Sequence, residues 1–248
     1  MDTQVPNSVI TITGLNKSFG ENHVLRDFNL NLVEGQNLVV MGKSGSGKSV
    51  MIKCIVGLEG YDGGSINVLG NEIKDLAQDD LNALRTDLGF LFQGSALYDS
   101  MSVRQNLEFP LRRHKNRIPQ GTDAGALITE ALSAVGLASA IDLMPEELSG
   151  GMKRRVALAR TLILRPRIIL YDEPTTGLDP ITSREIIGLI REVRKKYRTS
   201  SIIITHDIDC AKSLADQMIL LIDGRNYAQG TFEALQSSTD PKIKAFFS

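Results

Sequence analysis

The chain has 248 residues, of which 42% are hydrophobic and 23% charged, and a formal net charge of −1. This length suits one large domain or a domain with an inserted lobe. The near-neutral charge argues against a nucleic-acid partner, because no global basic field would attract a polyanion. No apolar run approaches the roughly 18 residues of a membrane-spanning helix, and the N-terminus does not resemble a signal peptide. A role at a membrane would therefore require another chain to span it.

The N-terminal part of the chain is predicted to form strands. Residues 9–13 and 28–32 alternate apolar and polar side chains, which indicates half-buried strands. Residues 37–42, NLVVMG, form a short apolar run that ends in glycine, which is typical of a buried strand. Cys54 and Cys210 lie far apart in mixed apolar surroundings, so we expect two buried, reduced thiols.

The middle of the chain, approximately residues 95–165, is predicted to be a helical lobe inserted into the rest. Thr122 is placed to cap a helix that Gly136 would end. A second helix ends at Pro166, and its apolar face is formed by Met152, Val156, Ala159 and Ile163. We find no buried strand in this part of the sequence.

Strands and helices alternate again after the lobe. Residues 167–173 and 201–207 have the character of buried strands. Between them, one helical face is formed by Ile186, Ile190, Val193 and Tyr197. The alternation predicts an α/β domain with a mainly parallel sheet. We treat residues 1–248 as one domain with a tail at approximately 236–248, which could pack on the core, contact a neighbouring subunit or stay mobile.

A phosphate-binding loop is predicted at residues 42–49, GKSGSGKS, which match G-x-x-x-x-G-K-[ST] directly after a strand. Backbone N–H groups of such a glycine-rich turn can face inward and surround phosphate oxygens. Lys48 can reach the β- and γ-phosphates, and Ser49 can bind Mg²⁺. The strand before the motif and the helical pattern after it argue against a merely flexible glycine loop.

Two carboxylates follow a second buried strand in IILYDEP, residues 168–174. The carboxyl ends of parallel strands are where ligands bind in a doubly wound sheet, so Asp172 and Glu173 should lie near the phosphate loop. Asp172 is placed to hold Mg²⁺, and Glu173 could polarise an attacking water. His206 ends another strand in IIITHD, where it could contact a γ-phosphate.

The order of these motifs resembles the ATPase subunit of an ABC transporter over roughly residues 8–235. GKSGSGKS resembles Walker A, IILYDEP Walker B, and LSGGM the signature motif, while LFQGS, TGLDP and ITHD resemble the Q-loop, D-loop and switch histidine. Phe19 occupies the position where the family stacks an aromatic ring on adenine, although a core Phe at a strand end is an alternative. Six motifs in one order make the resemblance specific.

This resemblance implies a P-loop NTPase core with a mainly parallel sheet, an N-terminal antiparallel β subdomain and an inserted α-helical subdomain. With the residues above, it implies catalytic roles for Glu173, His206 and Gln93, and Mg²⁺ ligation by Ser49, Gln93 and Asp172. The ATP-binding residues that it implies are Phe19, Gly42, Ser44, Gly45, Gly47, Lys48, Ser49, Val50, Ser149, Gly150, Gly151 and Asp179. The cofactors expected are ATP and Mg²⁺.

The signature residues imply a second subunit. Ser149 can cap a helix that starts near Gly150, which would direct free N–H groups and a positive helix end at a γ-phosphate. In the family, that phosphate belongs to the ATP held by the other subunit. We therefore expect a homodimer in which ATP joins the two chains and its hydrolysis releases them.

A subfamily is indicated by several longer stretches and by Met152, which stands where most family members carry Gln. The chain resembles the ATPases of Mla-type (Mce-associated, MlaF-like) phospholipid transport systems in residues 92–114, 144–160, 171–182 and 239–247. This resemblance implies a peripheral protein at the cytoplasmic face of the inner membrane that powers phospholipid movement between the inner and outer membranes. The implied partners are a membrane permease dimer, an Mce-domain lipid-binding protein and, in many of these systems, a small STAS-domain protein.

An apolar surface after Gln93 is the predicted docking groove for the permease, formed by Ala96, Leu97, Tyr98, Met101 and Val103. The sequence leaves three alternatives of function, of which a non-hydrolysing regulatory module is disfavoured by the intact Glu173 and His206. An ABC ATPase for another substrate, such as amino acids or lipoproteins, would carry the same catalytic residues. A non-transport ABC ATPase of DNA repair or translation is disfavoured by the single cassette and the lack of a heptad run or basic face.

Overall fold

The computed structural model describes residues 7–118 and 121–247. The strands in these ranges are β1 (Ser8–Phe19), β2 (Asn22–Val33), β3 (Asn37–Met41), β4 (Gly63–Val68), β5 (Asn71–Glu72), β6 (Leu88–Leu91), β7 (Ile168–Asp172), β8 (Ser200–Thr205), β9 (Gln217–Ile222) and β10 (Arg225–Gly230). The α-helices are α1 (Lys48–Ile55), α2 (Gln78–Arg85), α3 (Val103–Arg113), α4 (Ala124–Ala134), α5 (Gly150–Leu162), α6 (Pro180–Tyr197), α7 (Ile208–Leu214), α8 (Phe232–Gln236) and α9 (Pro241–Lys244).

The smaller sheet is antiparallel and N-terminal, with strand order β2-β1-β4-β5. Its strands bury one face, as the alternating pattern predicts: Leu25, Phe28, Leu30 and Leu32 of β2 are all buried. These side chains join a hydrophobic cluster that also includes residues of α1 and of the larger sheet. The predicted N-terminal antiparallel subdomain is confirmed.

The larger sheet has strand order β10-β9-β3-β8-β7-β6 and is parallel except for the β9–β10 pair. Its central strands are buried on both faces, which explains their continuous apolar runs. In β3, Leu38 and Val40 pack on the side of the smaller sheet, whereas Val39 and Met41 pack on the side of the helical region. The prediction of a mainly parallel sheet is confirmed, and the carboxyl ends of β3, β7 and β8 meet at one edge.

The region between β6 and β7 is built from α3, α4, α5 and short 3₁₀ turns, with no strand among its described residues. The N-cap of α4 is Asp123, whose carboxylate accepts a hydrogen bond from the Gly125 N–H at 2.8 Å. The prediction of Thr122 as the cap was therefore wrong by one residue, since both side chains suit an N-cap and only the backbone chooses between them. Gly136 follows α4 with a φ of 69°, the left-handed conformation of a helix stop.

The tail packs on the core of its own chain. Ile243 is buried, and Phe246 and Phe247 pack against the larger hydrophobic cluster. The Phe247 ring meets the Phe232 ring edge-on, with 5.4 Å between centroids. Of the three alternatives for this segment, the structure therefore shows the first.

Two expectations from composition can be compared with the structure. Cys54 and Cys210 are both buried free thiols, as predicted, and burial raises the pKa of the Cys54 thiol to about 11. Within the described ranges, no helix combines the length and the apolar character needed to cross a bilayer.

Candidate nucleotide-binding site

The phosphate loop, residues 42–49, connects β3 to α1. Lys48 is buried at the first position of the helix, and its Nζ donates hydrogen bonds to the carbonyl oxygens of Gly42 (2.7 Å) and Lys43 (3.1 Å). Burial lowers the pKa of Lys48, while neighbouring carboxylates oppose that shift. The ammonium group is thus held inside the loop, at the position where the motif predicts a phosphate ligand.

Backbone geometry explains the glycines of this loop. Gly45 and Gly47 have φ values of 78° and 103°, which favour glycine. A Cβ on Gly42 would lie 2.8 Å from the Leu221 carbonyl oxygen of the neighbouring strand β9. Ser44 is exposed at the outer side of the loop, and Val50 is half-buried on α1.

Asp172 lies at the carboxyl end of β7, two strands away from the phosphate loop. The Ser49 hydroxyl donates to its carboxylate across 3.4 Å, so two of the three predicted Mg²⁺ ligands lie together. Burial raises the pKa of Asp172, the Ser49 hydrogen bond lowers it, and the negative charge of Glu173 raises it further. A hydroxyl and a carboxylate are hard oxygen donors of the kind that Mg²⁺ prefers, so this pair fits the ion.

Glu173 is the centre of a small polar cluster. Its φ of 50° lies in the left-handed region, which is rare for a residue with a side chain and is found at functional sites. One carboxylate oxygen lies 4.0 Å from the Lys48 Nζ. The other lies 2.9 Å from the His206 Nδ1 and accepts a 3.0 Å hydrogen bond from the Thr176 hydroxyl. The structure thus brings Lys48, Glu173 and His206 together from three separate motifs.

The signature residues are presented outward at the start of α5. Ser149 is its N-cap, as predicted, and the Ser149 hydroxyl accepts a hydrogen bond from the Met152 N–H at 3.2 Å. Ser149 and Gly150 are exposed. A Cβ on Gly151 would lie 2.6 Å from a methyl group of Thr182, so the close approach of α5 to α6 requires glycine there.

Asp179 caps the neighbouring helix α6. Its carboxylate accepts hydrogen bonds from the N–H groups of Ile181 (2.9 Å) and Thr182 (3.1 Å) and from the Thr182 hydroxyl. The Thr182 hydroxyl, together with these N–H donors, holds the pKa of Asp179 below its usual value. No hydrogen bond or ion pair in the described parts of the chain joins Asp179, Ser149 or Gly150 to the phosphate loop.

Phe19 and Gln93 complete the predicted set. Phe19 is the last residue of β1 and 47% exposed, so the alternative of a core Phe was wrong. The Lys17 Nζ lies 4.5 Å from the centroid of its ring and covers part of it. Gln93 is exposed shortly after the end of β6, one strand beyond Asp172 in the sheet.

Only some of the residues predicted to form the docking groove are exposed. Tyr98 is 43% exposed and stacks at an angle on Phe109, which is 40% exposed, with ring centroids 5.0 Å apart. Leu97 is half-buried beside them, and Ala96 is exposed. Val103 is completely buried as the first residue of α3, so its assignment to this surface was wrong. Phe109 was missed because it lies in a helix, outside the loop that the motif marks.

Polar side chains hold this surface loop in place. Asn106 is fully buried, and its amide donates to the carbonyl oxygens of Tyr98 (3.1 Å) and Met101 (2.9 Å). Arg160 of α5 donates to the carbonyl oxygens of Ser95 (3.1 Å) and Ala96 (2.8 Å). Tyr98 of the exposed aromatic pair therefore lies on a loop that is anchored to the signature helix.

Arg154 and Thr176 are contacts of the site that sequence reasoning missed. Arg154 lies in a run of basic residues that reads as a solvent-facing side of α5, yet it is only 4% exposed. Its guanidinium donates to the carbonyl oxygens of Phe92 (2.7 Å), which precedes Gln93, and Thr176 (3.4 Å). A basic run contains no signal that one member turns inward, so only the packed structure reveals this link.

A phosphate loop, a carboxylate-bearing strand of the same parallel sheet and a helical insertion define a P-loop ATPase of the ATP-binding cassette type. The family model described as "ABC transporter" matches residues 25–176. The chain belongs to the ABC transporter family, and it is an ATP-hydrolysing subunit of that family.

The relatives of the chain have more than one named substrate. It is 38% identical over 220 residues to the methionine import ATP-binding protein MetN of Clostridium tetani, with 88% of this chain and 67% of that protein covered. It is 36% identical over 239 residues to the intermembrane phospholipid transport system ATP-binding protein MlaF of Haemophilus influenzae, with 96% and 90% covered.

Solved cassette structures share the fold. The dimeric, post-hydrolysis structure of the ATP-binding cassette MJ0796 bound to ADP and Pi is 31% identical to this chain, with a TM-score of 0.81. The match covers 90% of this chain and 98% of that one. The ABC ATPase fold that the motifs imply is confirmed.

Proposed function

We propose that this protein is the ATPase subunit of an Mla/Mce-type ABC transporter that moves phospholipid between the inner and outer membranes. The observation that carries the proposal is the resemblance to MlaF, which extends over almost the whole of both chains. The stretches around the Q-loop, signature and D-loop support it from the sequence. The comparable identity to MetN keeps import of an amino acid as the alternative.

We infer the following roles in hydrolysis. Lys48 leaves the carbonyl oxygens of its own loop and binds the β- and γ-phosphates of ATP. Glu173 accepts a proton from a water, whose oxygen forms a bond to the γ-phosphorus while the bond to the β-phosphate oxygen breaks and ADP leaves. His206, already beside Glu173, donates a hydrogen bond to the γ-phosphate. Phe19 supports adenine with its exposed ring.

Mg²⁺ is proposed to be held by Ser49, Asp172 and Gln93. The ion supplies charge neutralisation at the phosphates when it is bound. The described residues contain no group of three His, Cys, Asp or Glu side chains that could hold a metal ion by themselves. The nucleotide and water would therefore supply most of its oxygen ligands, as is usual for Mg²⁺.

The signature half of the site supports a homodimer. Ser149 and Gly150 are exposed at the start of α5, with the half-buried Gly151 beside them, and Asp179 caps the next helix, α6. A helix start of this kind binds anions through free N–H groups and the helix dipole. We propose that the signature residues bind the γ-phosphate of the ATP held by a second copy, with Asp179 at the same interface.

We propose that the protein works at the cytoplasmic face of the inner membrane, on a permease dimer. The exposed rings of Tyr98 and Phe109 support a docking site for the permease, because paired exposed aromatic side chains are typical interface anchors. An Mce-domain lipid-binding protein and a STAS-domain protein are the further partners that the Mla resemblance implies.

Affinity purification from membranes followed by mass spectrometry tests the transport system. Recovery of a permease together with an Mce-domain protein supports the phospholipid proposal. Recovery of an amino-acid permease instead overturns it, while the assignment as an ABC ATPase stands.

The Glu173→Gln variant tests the site. It should bind ATP but hydrolyse it at least about a hundredfold more slowly, and it should collect as an ATP-bound dimer in size-exclusion chromatography. The ATP-free variant, as the control, should elute in the same way as the unmodified protein. Hydrolysis at the unmodified rate would refute the role of Glu173.

The Tyr98→Asp variant tests the docking site. Its basal ATP hydrolysis should stay unchanged while stimulation by the reconstituted permease is lost. Tyr227→Asp is a matched control, because Tyr227 is also 40% exposed but lies on β10. Equal stimulation of Tyr98→Asp and the unmodified protein would contradict the assignment of this surface.

A further inference from the structure

The Thr176 hydroxyl contacts Glu173, although the D-loop motif TGLDP, which begins at Thr176, assigns this side chain no role. It donates a 3.0 Å hydrogen bond to the same carboxylate oxygen that lies 2.9 Å from His206 Nδ1. Glu173 is buried, so its carboxylate has few water molecules to replace a lost partner. The hydrogen bond therefore restricts the direction in which the carboxylate points.

Two of the three partners of Glu173 have another ligand to bind during turnover. In the hydrolysis proposed above, Lys48 turns to the phosphates and His206 to the γ-phosphate. Lys48 Nζ lies 4.0 Å and His206 Nδ1 2.9 Å from the Glu173 carboxylate. Thr176 has no such second task, so it is the partner that can stay on Glu173 when ATP is bound.

The backbone of Thr176 is held in place by two hydrogen bonds within the chain. Its N–H donates to the Glu173 carbonyl oxygen at 3.3 Å, which closes a tight turn. Its own carbonyl oxygen accepts the 3.4 Å hydrogen bond from the buried Arg154 of α5. The turn starts at the left-handed Glu173 and is thereby tied to the signature helix.

We propose that Thr176 is a positioning residue for hydrolysis: its hydroxyl holds the Glu173 carboxylate in the direction needed to accept a proton from the attacking water. This inference rests on the proposed role of Glu173. Because Thr176 acts through Glu173, its removal should slow the chemical step and leave the binding of ATP almost unchanged.

The test compares Thr176→Val, which keeps the shape and loses the donor, with Thr176→Ser, which keeps the donor. Thr176→Val should lower kcat about tenfold, with KM for ATP within about twofold, because a hydrogen bond to a charged group is lost. Thr176→Ser should retain at least about half of kcat. Equal losses in both variants, or a raised KM with normal kcat, would overturn the proposal. Thr176→Ala takes the place of Thr176→Val if the latter does not fold.

Thr175→Val is the matched control in the same loop. Thr175 is buried, and its hydroxyl donates a 3.0 Å hydrogen bond to Asp207, a carboxylate other than Glu173. The Thr175→Val variant should keep kcat within about threefold of the unmodified value, because it removes a similar hydrogen bond that does not involve Glu173. A kcat loss equal to that of Thr176→Val would assign both effects to the loop as a whole and overturn the specific role.

A double variant separates this inference from the proposed function. If Thr176 acts through Glu173, adding Thr176→Val to Glu173→Gln should not slow hydrolysis further. An additive loss would contradict the positioning role while Glu173 keeps its own. Full activity of Glu173→Gln alone would instead refute the proposed role of Glu173, and the inference about Thr176 would fall with it.

Discussion

The two halves of the proposed ATP site differ in how far one chain completes them. Around the phosphate loop, Ser49 contacts Asp172 at 3.4 Å, and Glu173 lies 4.0 Å from Lys48 and 2.9 Å from His206. The signature residues are exposed instead, and their structured contacts are the hydrogen bonds that cap α5. One half is held together by contacts within the chain, whereas the other is an exposed helix start that Ser149 caps.

This difference indicates a division of tasks. Groups that must respond to phosphate in concert are held together by one sheet edge, because parallel strands bring their carboxyl ends side by side. The group that would sense a second subunit is kept free to bind it. A change in either half should therefore abolish activity in a homodimer, whereas a partner chain that carries the change in the other half should restore one site.

Lys48→Ala should have the largest effect. The variant loses the cation that the phosphate loop holds, so ATP binding should weaken strongly and hydrolysis should fall by about a hundredfold or more. Fluorescent-nucleotide binding and phosphate release measure the two effects. Lys53→Ala, an exposed lysine of the same helix, should behave like the unmodified protein. Similar losses in both variants would mean that charge around α1, and not the position of Lys48, sustains binding.

Gly150→Asp should slow hydrolysis by about thirtyfold or more. The affinity of the single chain for ATP should stay within about threefold of that of the unmodified protein. A carboxylate at the exposed helix start would repel the γ-phosphate of the opposite subunit. An added Cβ has room here, because its nearest neighbour would be a Leu178 methyl group at 3.7 Å. Gly150→Ala, the uncharged control, should lose much less activity.

Mixing Lys48→Ala with Gly150→Asp sharpens the same comparison. A heterodimer of the two contains one site with an intact phosphate loop and an intact signature, so part of the activity should return. No recovery at any mixing ratio would argue that each chain hydrolyses ATP alone.

Asp172 should make the Mg²⁺ requirement of the phosphate-loop half of the site depend on pH. Burial raises the pKa of this carboxyl, so protons compete with Mg²⁺ at a higher pH than at an ordinary Asp. The Mg²⁺ concentration for half-maximal hydrolysis should therefore rise as the pH falls. Asp172→Asn should need far more Mg²⁺ at every pH, and Asp79→Asn, at an exposed carboxylate, should change nothing.

The same shift predicts a change in stability without Mg²⁺. A carboxyl whose pKa is higher in the folded chain stabilises the fold when protonated, and this contribution is lost as the pH rises through the folded-state pKa. In EDTA, Asp172→Asn should consequently melt at a higher temperature than the unmodified protein at pH 8, with a smaller difference at pH 5. Equal melting temperatures at both pH values would contradict the buried charge.

Ser149→Ala should have the smallest of these effects, and we expect it in the stability of the fold. Loss of the N-cap hydrogen bond to Met152 should reduce the free energy of unfolding by about 1 kcal/mol. Ser149→Asn can form an equivalent cap and should stay close to the unmodified protein. Chemical denaturation measures the difference, and equal stability of the Ala variant would show that the cap does not stabilise α5.

Local sequence patterns predicted the elements where one physical signal dominates. The continuous apolar runs of β3, β7 and β8 identify buried strands because both faces of the large sheet are covered. The predicted cap of α4 missed by one residue, since Thr122 and Asp123 are equally suited chemically. Val103 was assigned to the surface because it follows apolar loop residues, but the first turn of α3 carries it into the core.

The sequence alone determined the phosphate loop, the carboxylates Asp172 and Glu173, and the signature Ser149, because each depends on a short run of residues with one chemical reason for its spacing. The packed structure was needed to show that Arg154 is buried, that Phe109 joins Tyr98 at the surface and that Thr176 contacts Glu173. These contacts depend on how α5, α3 and the carboxyl end of β7 pack together. Packing of that kind has no local signal, since a basic run or a threonine after a strand looks the same whether it meets water or a carboxylate.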